Sequence, residues 1–300
     1  MRILLFGGNG QVGTELRRSL APLGEVVITT RSGQLEDGTA CERADFDQQH
    51  TLPVLIERIA PDIVVNAAAY TAVDRAQSEP AAAFRANAEA PRVIAEACAR
   101  RNALLVHYST DYVFDGRGTH PYREDDPTAP LGVYGASKLA GENAIRASGA
   151  RHLILRTAWV YAAHGSNFLR TMLRLAAERD ELRVVADQVG SPTSAGLIAD
   201  VSADVLRRSF GRSGCWHLTA SGETSWCGFA EAIIAGAHAR GLIPRRPRVV
   251  PIATADYPTP AARPAYSVLD TGKLQRDFDL CPAAWPDGLG QVLDGIGQGS

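Results

Sequence analysis

The stretch Met1-Arg-Ile-Leu-Leu-Phe-Gly-Gly-Asn-Gly-Gln-Val-Gly13 decides the fold of this 300-residue chain. An apolar run, Ile3–Phe6, leads directly into glycines at positions 7, 10 and 13, and the helical pattern Val12–Leu20 follows. Glycine lets the backbone approach a pyrophosphate, and the N-terminus of the following helix attracts its negative charge. We therefore predict that this turn binds a dinucleotide through Gly7, Gly10, Gln11, Val12 and Gly13.

The first half of the chain repeats this alternation of strand and helix. Strands that are apolar on both faces and alternate with helices are typical of a buried parallel sheet with helices on both sides. We predict an α/β fold, a Rossmann-type doubly wound parallel sheet with a smaller C-terminal α/β substrate-binding domain. The predicted strands are Ile3–Phe6, Val26–Thr29, Ile63–Asn66, Leu104–Tyr108 and Leu153–Arg156, and the predicted helices are Val12–Leu20, Leu52–Ile59, Ala81–Arg100 and Ser137–Ala147.

After about residue 160 the pattern becomes less regular. We expect helices at Asn167–Arg179 and Ala195–Ser209, a strand at Leu182–Ala186, and loop or extended chain in the proline-rich segment Pro244–Pro264. Residues 1–160 are predicted to form the dinucleotide-binding domain, to which later segments return. Residues 161–300 are predicted to be mainly substrate-binding.

Composition narrows the function classes. The 33 acidic and 31 basic residues give a formal charge of −2, which argues against electrostatically driven binding to nucleic acid or a membrane surface. No apolar run approaches the roughly 18 residues of a membrane span. The five cysteines show no CxxC spacing, and the chain starts directly with a strand, so we expect a reduced, cytoplasmic protein. Only two of the basic residues, Lys138 and Lys273, are lysines.

The end of the second strand indicates the cofactor. An acidic residue there would accept the ribose 2′-hydroxyl and repel a 2′-phosphate, but this chain has Thr29-Thr30-Arg31-Ser32. We interpret Thr30 and Arg31 as facing a 2′-phosphate, which favours NADPH with NADH as an alternative; a solvated surface arginine is the other interpretation. Asp45 and Phe46 suit the adenine, and the small residues Ala67–Ala69 suit a backbone wall against the ribose.

Two further features carry chemistry. Thr110 follows the strand Leu104–Tyr108, and Tyr134-Gly-Ala-Ser-Lys138 opens a helix. A spacing of four puts the phenol and the ammonium on one helix face. Because a free tyrosine titrates near 10, we expect the lysine and an oxidised nicotinamide to lower the phenol pKa, and the lysine to donate to the ribose. A chance pairing is improbable with so few lysines.

These motifs together resemble the extended short-chain dehydrogenase/reductases. More narrowly, the chain is similar to the dTDP-4-dehydrorhamnose reductases from residue 1 to about 280. The stretches that carry this similarity are Leu4–Gly7, Gly10–Gly13, Val65–Ala69, Thr71–Asp74, His107–Phe114, Arg156, Trp159–Tyr161, Asn167-Phe168, Tyr257–Pro260 and Arg263-Pro264.

The resemblance implies reduction by NAD(P)H of the C4 keto group of dTDP-4-dehydro-β-L-rhamnose to dTDP-L-rhamnose, the last step of dTDP-rhamnose synthesis. It makes Tyr134 the proton donor, Thr110 a hydrogen-bond donor to the C4 oxygen, and Lys138 the residue that holds the ribose. It also places Tyr70, Thr71 and Tyr108 at the cofactor. The implied substrate contacts are Thr71, Val73, Thr110, Asp111, Tyr112, Trp159, Asn167 and, at the diphosphate, Arg263. Without the resemblance, Trp159 is equally well a core aromatic.

A metal is not expected. Members of the family have been described with magnesium held by carboxylates between subunits, and a hard divalent cation needs several oxygen ligands. Glu15 is present, but Gly196 stands where a second acid is expected. We therefore expect no metal and a monomer or weak homodimer.

Two alternatives remain. A nucleotide-sugar 4-ketoreductase, 4,6-dehydratase or 4-epimerase of the same superfamily is the first, although dehydratases carry Asp-Glu where this chain has Asp111-Tyr112, and Arg31 disfavours an NAD-retaining epimerase. A non-catalytic NADP-binding regulatory subunit is the second, and the intact Thr110, Tyr134 and Lys138 favour an enzyme over it.

Overall fold

Seven strands, all paired in parallel, form the central sheet of the computed structural model, which describes residues 1–209 and 211–298. The predicted α/β fold with a parallel sheet is confirmed; residues 210, 299 and 300 of the predicted C-terminal domain lie outside the described residues. In sheet order the strands are β11 (Gly214–His217), β6 (His152–Thr157), β5 (Leu104–Thr110), β4 (Ile63–Asn66), β1 (Arg2–Phe6), β2 (Glu25–Thr30) and β3 (Glu42–Arg43).

Helices cover both faces of this sheet because its strands are apolar on both sides. Ile3 and Leu5 of β1 belong to one core layer, while Leu4 and Phe6 belong to the other. Each of these four side chains is fully buried, which stabilises the fold by about 1.5–3 kcal/mol apiece. The first face carries α1 (Gln11–Leu20), α8 (Ala195–Arg208) and α10 (Gly272–Phe278), and the second carries α2 (Thr51–Ile59), α5 (Ala90–Arg101) and α6 (Val133–Ala147).

The predicted helix Ala81–Arg100 is interrupted. It consists of α4 (Pro80–Phe84), a π-helical turn at Arg85–Glu89, and α5; a short helix, α3 (Val73–Ser78), precedes it. Within the π turn, the buried Asn87 amide accepts from the Tyr70 N–H (2.8 Å) and donates to the Tyr70 carbonyl (3.0 Å). The interruption therefore fixes the backbone that follows β4.

Helix α6 begins four residues before the predicted start at Ser137. The side-chain oxygen of Gln77 accepts the N–H of Val133 at 2.9 Å, which satisfies one of the donors that every helix start leaves free. Tyr134, which the spacing to Lys138 already assigned to this helix, lies in its first turn.

A smaller lobe lies beside the central sheet and has its own apolar core. Its strands β8 (Glu181–Val185) and β13 (Arg248–Ile252) pair in parallel, and β13 is the extended part of the proline-rich segment. That these residues act as a separate substrate domain stays a prediction. The helices are α7 (Phe168–Glu178), α9 (Trp226–Ala239) and α11 (Trp285–Gln298), and the short paired strands are β7 (Val160–Tyr161) with β10 (Thr193–Ser194) and β9 (Val189–Gly190) with β12 (Thr224–Ser225).

Lys273, to which the sequence assigned no role, joins α10 to β11. Its amine donates to the carbonyl oxygen of Cys215 at 2.8 Å and lies 5.0 Å from the centre of the Trp216 ring. This contact is structural: it holds helix α10 against β11, the edge strand of the central sheet. None of the described helices is long and apolar enough to cross a membrane.

Candidate active site

A cleft of about 600 Å³ opens at the carboxyl ends of β1, β4 and β5, where open α/β sheets bind their ligands. Most of the predicted site residues line it together. The predicted positions on its wall are Gly7, Gly10, Gln11, Val12, Arg31, Phe46, Ala67, Ala68, Ala69, Tyr70, Thr71, Val73, Tyr108, Thr110, Asp111, Tyr112, Tyr134, Lys138, Trp159 and Asn167. Gly13, Thr30, Asp45 and Arg263 are not on this wall.

The glycine turn is built for close backbone approach. Gly7 has φ +85°, and a Cβ there would lie 2.8 Å from the Ala68 nitrogen. A Cβ on Gly13 would lie 2.0 Å from the Gly7 carbonyl oxygen. The absence of a side chain at Gly13 therefore lets helix α1 pack closely against the turn, although Gly13 itself does not line the cleft. No larger residue fits either position without moving the turn, which leaves its surface free for a pyrophosphate.

Thr30, Arg31 and Asp45 meet in an adjoining cleft of about 440 Å³, beyond the glycine turn. The Thr30 hydroxyl accepts the N–H groups of Gly33 and Gln34 and so shapes the loop. Arg31 is 80% exposed, with its Nε 4.0 Å from the Asp45 carboxylate. Arg43, which the sequence reasoning missed, lines the same cleft. Two guanidiniums around one small cleft suit a 2′-phosphate.

Two threonine hydroxyls lie at the wall of the main cleft. Thr29 and Thr157 both line it, and their Oγ1 atoms are buried. Among the residues that the structure describes, neither oxygen has a hydrogen-bond partner. Since buried polar groups are normally paired, these orphaned hydroxyls, like the glycine turn, fit a polar cofactor such as a dinucleotide.

Tyr134 faces the cleft from the first turn of α6. Its ring packs edge-on against that of Tyr112, with centroids 5.5 Å apart. Burial raises the pKa of Tyr134 to about 12, the neighbouring Thr110 hydroxyl opposes that shift, and the Asp111 charge adds to it. Desolvation outweighs the favourable neighbour here, and the lowering expected from Lys138 together with an oxidised nicotinamide stays a prediction. The phenol stays protonated at neutral pH, as a proton donor requires.

Lys138 lies one helical turn further along α6 and is 2% exposed. Its amine donates to the carbonyl oxygen of Tyr108 at 2.6 Å. Tyr108 thus contacts Lys138 through its backbone, because its phenol donates to Ser202 on α8. Burial lowers the pKa of Lys138 to about 8, against the pull of the Glu142 carboxylate. The lysine is thus anchored to β5 and titrates close to neutral pH.

Asp111 and Thr110 form a buried polar pair at the end of β5. The Thr110 hydroxyl donates to the Asp111 carboxylate at 3.0 Å and accepts the N–H of Tyr112. Burial raises the pKa of Asp111 to about 6 although Ser267 and Thr110 lower it. Burying an ionisable carboxyl group lowers the stability of the fold. Buried ionisable groups with shifted pKa values are typical of functional positions.

Trp159 contributes an aromatic ring to the wall of the cleft. It adopts a left-handed backbone conformation with φ +46°, uncommon for a bulky residue. Trp226, at the start of α9, stacks on it and also lines the cleft. Sequence reasoning missed Trp226 because nothing local connects position 226 to position 159.

Gln11 and Arg263 are both committed to protein partners. The Gln11 amide oxygen accepts from the Asn167 side chain at 2.7 Å, which ties the glycine turn to the start of α7. Arg263 forms a two-pronged ion pair with Asp74, at 2.8 and 3.1 Å. Arg263 lies off the cleft wall in this pair, and its contact with the diphosphate stays a prediction.

Glu15, the carboxylate considered for a metal, contacts a histidine. Its carboxylate lies 3.1 Å from His164 Nε2, and the position of a Cβ on Gly196 would be 3.9 Å from it. Within residues 1–209 and 211–298, no group of three or more His, Cys, Asp or Glu side chains is arranged to hold a metal ion.

A parallel sheet whose glycine turn and Tyr-x-x-x-Lys helix face one cleft defines an oxidoreductase of the extended short-chain dehydrogenase/reductase class. The family model described as RmlD substrate binding domain matches residues 1–297. The dTDP-4-dehydrorhamnose reductases of Burkholderia thailandensis and Escherichia coli K12 are 50% and 46% identical to this chain, and each alignment covers at least 97% of both sequences. The chain belongs to the dTDP-4-dehydrorhamnose reductase family.

Solved structures agree with this assignment. A dTDP-4-dehydrorhamnose reductase from Bacillus anthracis, in complex with NADP, superposes with a TM-score of 0.89 at 32% identity, covering 98% of this chain and 99% of that one. One from Clostridium acetobutylicum gives 0.88 at 35% identity, with 99% of each chain covered. The resemblance inferred from the sequence motifs is confirmed.

Proposed function

We propose that this protein reduces the C4 keto group of dTDP-4-dehydrorhamnose with NADPH to give dTDP-L-rhamnose. The observation that carries the proposal is the meeting of Thr110, Tyr134 and Lys138 at one edge of the sheet, in the cleft whose floor is the glycine turn. Family membership supports the substrate, since the relatives named above carry that reductase activity in their names.

The protein's own groups handle charge and protons. Bound NADPH would supply the hydride, and the carbonyl oxygen gains negative charge as the hydride reaches C4. Hydroxyl donors aimed at that oxygen stabilise it as an oxyanion hole does. Tyr134 is one donor, and Thr110 is the second once its single hydroxyl hydrogen turns from the Asp111 carboxylate to that oxygen. Tyr134, which burial keeps protonated, then gives its proton to the alkoxide. Asp111, Tyr112, Trp159, Thr71, Val73 and Asn167 are proposed substrate contacts.

The cofactor preference is proposed from charge. Arg31 and Arg43 flank the cleft beyond the glycine turn, so the 2′-phosphate of NADPH would lie beside two positive charges. NADH has no 2′-phosphate and would not gain this attraction. The NADP bound to the Bacillus anthracis relative supports the same cofactor. Asp45 and Phe46 are proposed to border the adenine, with Asp45 also orienting Arg31.

The experiment is a purified-protein assay in which dTDP-4-dehydrorhamnose is generated in situ and NADPH oxidation is followed by its absorbance at about 340 nm. We expect oxidation that depends on the dTDP sugar. Activity only with a GDP- or UDP-linked keto sugar would overturn the substrate, and tight NADPH binding without turnover on any keto sugar would favour the regulatory-subunit alternative.

A further inference from the structure

His107 is a buried titratable residue that the reaction steps above do not use. It lies on β5 next to Tyr108 and is fully buried. Its Nδ1 is 3.1 Å from the amide nitrogen of Asn66, and its Nε2 is 3.4 Å from the amine of Lys138. A histidine ring thus stands directly behind the lysine of the candidate active site.

The neighbours fix which ring nitrogen of His107 carries the hydrogen. The Asn66 side-chain oxygen accepts the N–H of Ala68 at 3.1 Å. Because a backbone N–H can only donate, that atom is the oxygen, and the amide nitrogen faces His107. Nδ1 must then accept. Burial and the nearby Lys138 hold the pKa of His107 well below its ordinary value, so the ring is neutral and its one hydrogen is on Nε2.

That hydrogen points at Lys138. An ammonium group has three hydrogens and no lone pair, so only the neutral amine can accept a hydrogen bond from Nε2–H. We propose that His107 is a positioning residue for Lys138: locked by Asn66 with its hydrogen on Nε2, it hydrogen-bonds the neutral amine and so favours release of the lysine proton into the cleft. The proposal rests on the role of Lys138 in the proposed function.

Other groups around the Lys138 amine favour either its protonated or its neutral form. The Tyr108 carbonyl at 2.6 Å and the Glu142 carboxylate favour the ammonium, while burial and His107 favour the amine. Tyr134 and Asp111 face the same cleft. Burial, opposed by Glu142, lowers the pKa of Lys138 to about 8, so both forms exist near neutral pH.

The consequence concerns the proton that Tyr134 gives up. When the phenol has protonated the alkoxide, it is left as a phenolate and needs a proton back. A lysine that releases its proton readily can supply one, becoming a neutral amine that His107 stabilises, and solvent water then reprotonates it. Neither His107 nor Asn66 lines the cleft, so His107 acts through Lys138, and Asn66 orients the His107 ring.

The two lysines of the chain make a direct test possible. In protein labelled with ¹³C at lysine Cε, the Lys273→Arg variant leaves one signal, and its pH titration in the full chain without ligands gives the pKa of Lys138. We expect about 8. In His107→Gln the amide oxygen can turn to the ammonium, and we expect titration at least about one pH unit higher. An unchanged value, or a starting value near the ordinary 10.4, would overturn the proposal.

His217→Gln is the matched control. His217 is also fully buried and lies on β11, two strands from β5, with Nε2 3.5 Å from Arg156 instead of Lys138. It should leave the Lys138 titration where it was; equal shifts in both variants would mean a general loosening of the core and would overturn the specific role of His107.

A second measurement needs no substitution. Nitrogen-15 chemical shifts of the wild-type imidazole should show His107 protonated at Nε2; protonation at Nδ1 would overturn the proposal even if the variants fold poorly. All these readings are independent of turnover, so an inactive protein with the predicted titration would count against the reductase assignment alone.

Discussion

The indole of Trp159 lies flat against that of Trp226, with ring centroids 3.5 Å apart and planes within 2° of parallel. The pair is held from both sides. A Cβ on Gly190 would come within 2.5 Å of Trp159, and Phe168 packs on Trp226 with centroids 4.6 Å apart. The strained backbone of Trp159 thus supports an aromatic surface shared by two distant segments of the chain.

Removing the supporting ring should weaken substrate binding. Trp226→Ala takes away the stacking partner of Trp159, and an aromatic pair is worth about 0.5–1.5 kcal/mol beyond its burial. We therefore expect KM for the sugar nucleotide to rise about 2- to 10-fold, with a smaller change in kcat. Steady-state kinetics at saturating NADPH measure it. Trp226→Phe, which keeps a ring, should stay near the wild type; an unchanged KM in the alanine variant would remove Trp226 from the site.

The glycine turn should not tolerate a methyl group. In Gly13→Ala the new Cβ would meet the Gly7 carbonyl oxygen at 2.0 Å, so the turn must shift; we expect NADPH affinity to fall at least 10-fold and stability to fall by about 1–3 kcal/mol. Fluorescence titration and thermal unfolding report the two effects. Gly295→Ala, where nothing lies within 4 Å of the added carbon, is the control and should be neutral or slightly stabilising.

Reversing the charge at position 31 should change the cofactor preference. Arg31→Asp places a carboxylate beside the proposed 2′-phosphate site, and we expect the ratio of kcat/KM for NADPH over NADH to drop about 10- to 100-fold. The exposed Arg207 of α8 provides a control, since Arg207→Asp makes the same charge change far from the cleft. If the ratio in Arg31→Asp matches that control, the arginine is only a solvated surface charge.

Asp111 should make stability fall as the pH rises. Folding raises its pKa to about 6 from about 3.9 in the unfolded chain, so the folded state favours the protonated form. Its stabilising contribution is complete below pH 4 and is lost as the pH rises through 6. Asp111→Asn stays neutral, so the variant should gain up to about 3 kcal/mol over the wild type between pH 4 and pH 8. Urea unfolding at the two pH values measures this, and a pH-independent difference would contradict it.

Local sequence patterns predict the parts of the site that local structure builds. The glycine turn, the end of β5 and the spacing of Tyr134 and Lys138 each follow from a strand or helix and its neighbours in the chain. Periodicity, however, does not reveal the π turn around Asn87, because a single extra residue barely alters an apolar pattern.

Local sequence patterns do not predict contacts between distant segments of the chain. The stacking of Trp226, the second arginine at position 43 and the capture of Arg263 by Asp74 all depend on how separate segments meet in three dimensions. The burial that raises the pKa of Tyr134 is of the same kind: its spacing to Lys138 is visible in the sequence, but the extent of its burial is not.

The central claim is that hydride reaches C4 of the sugar and Tyr134 supplies the proton. It is tested most directly with NADPH that carries deuterium at both positions of nicotinamide C4, using the wild type and Tyr134→Phe, with NMR of the isolated product. We predict dTDP-L-rhamnose with deuterium at sugar C4 from the wild type, turnover reduced by about 10²–10⁴-fold in Tyr134→Phe, and unchanged NADPH affinity. Product without deuterium at C4, or near-normal turnover by Tyr134→Phe, would contradict the account.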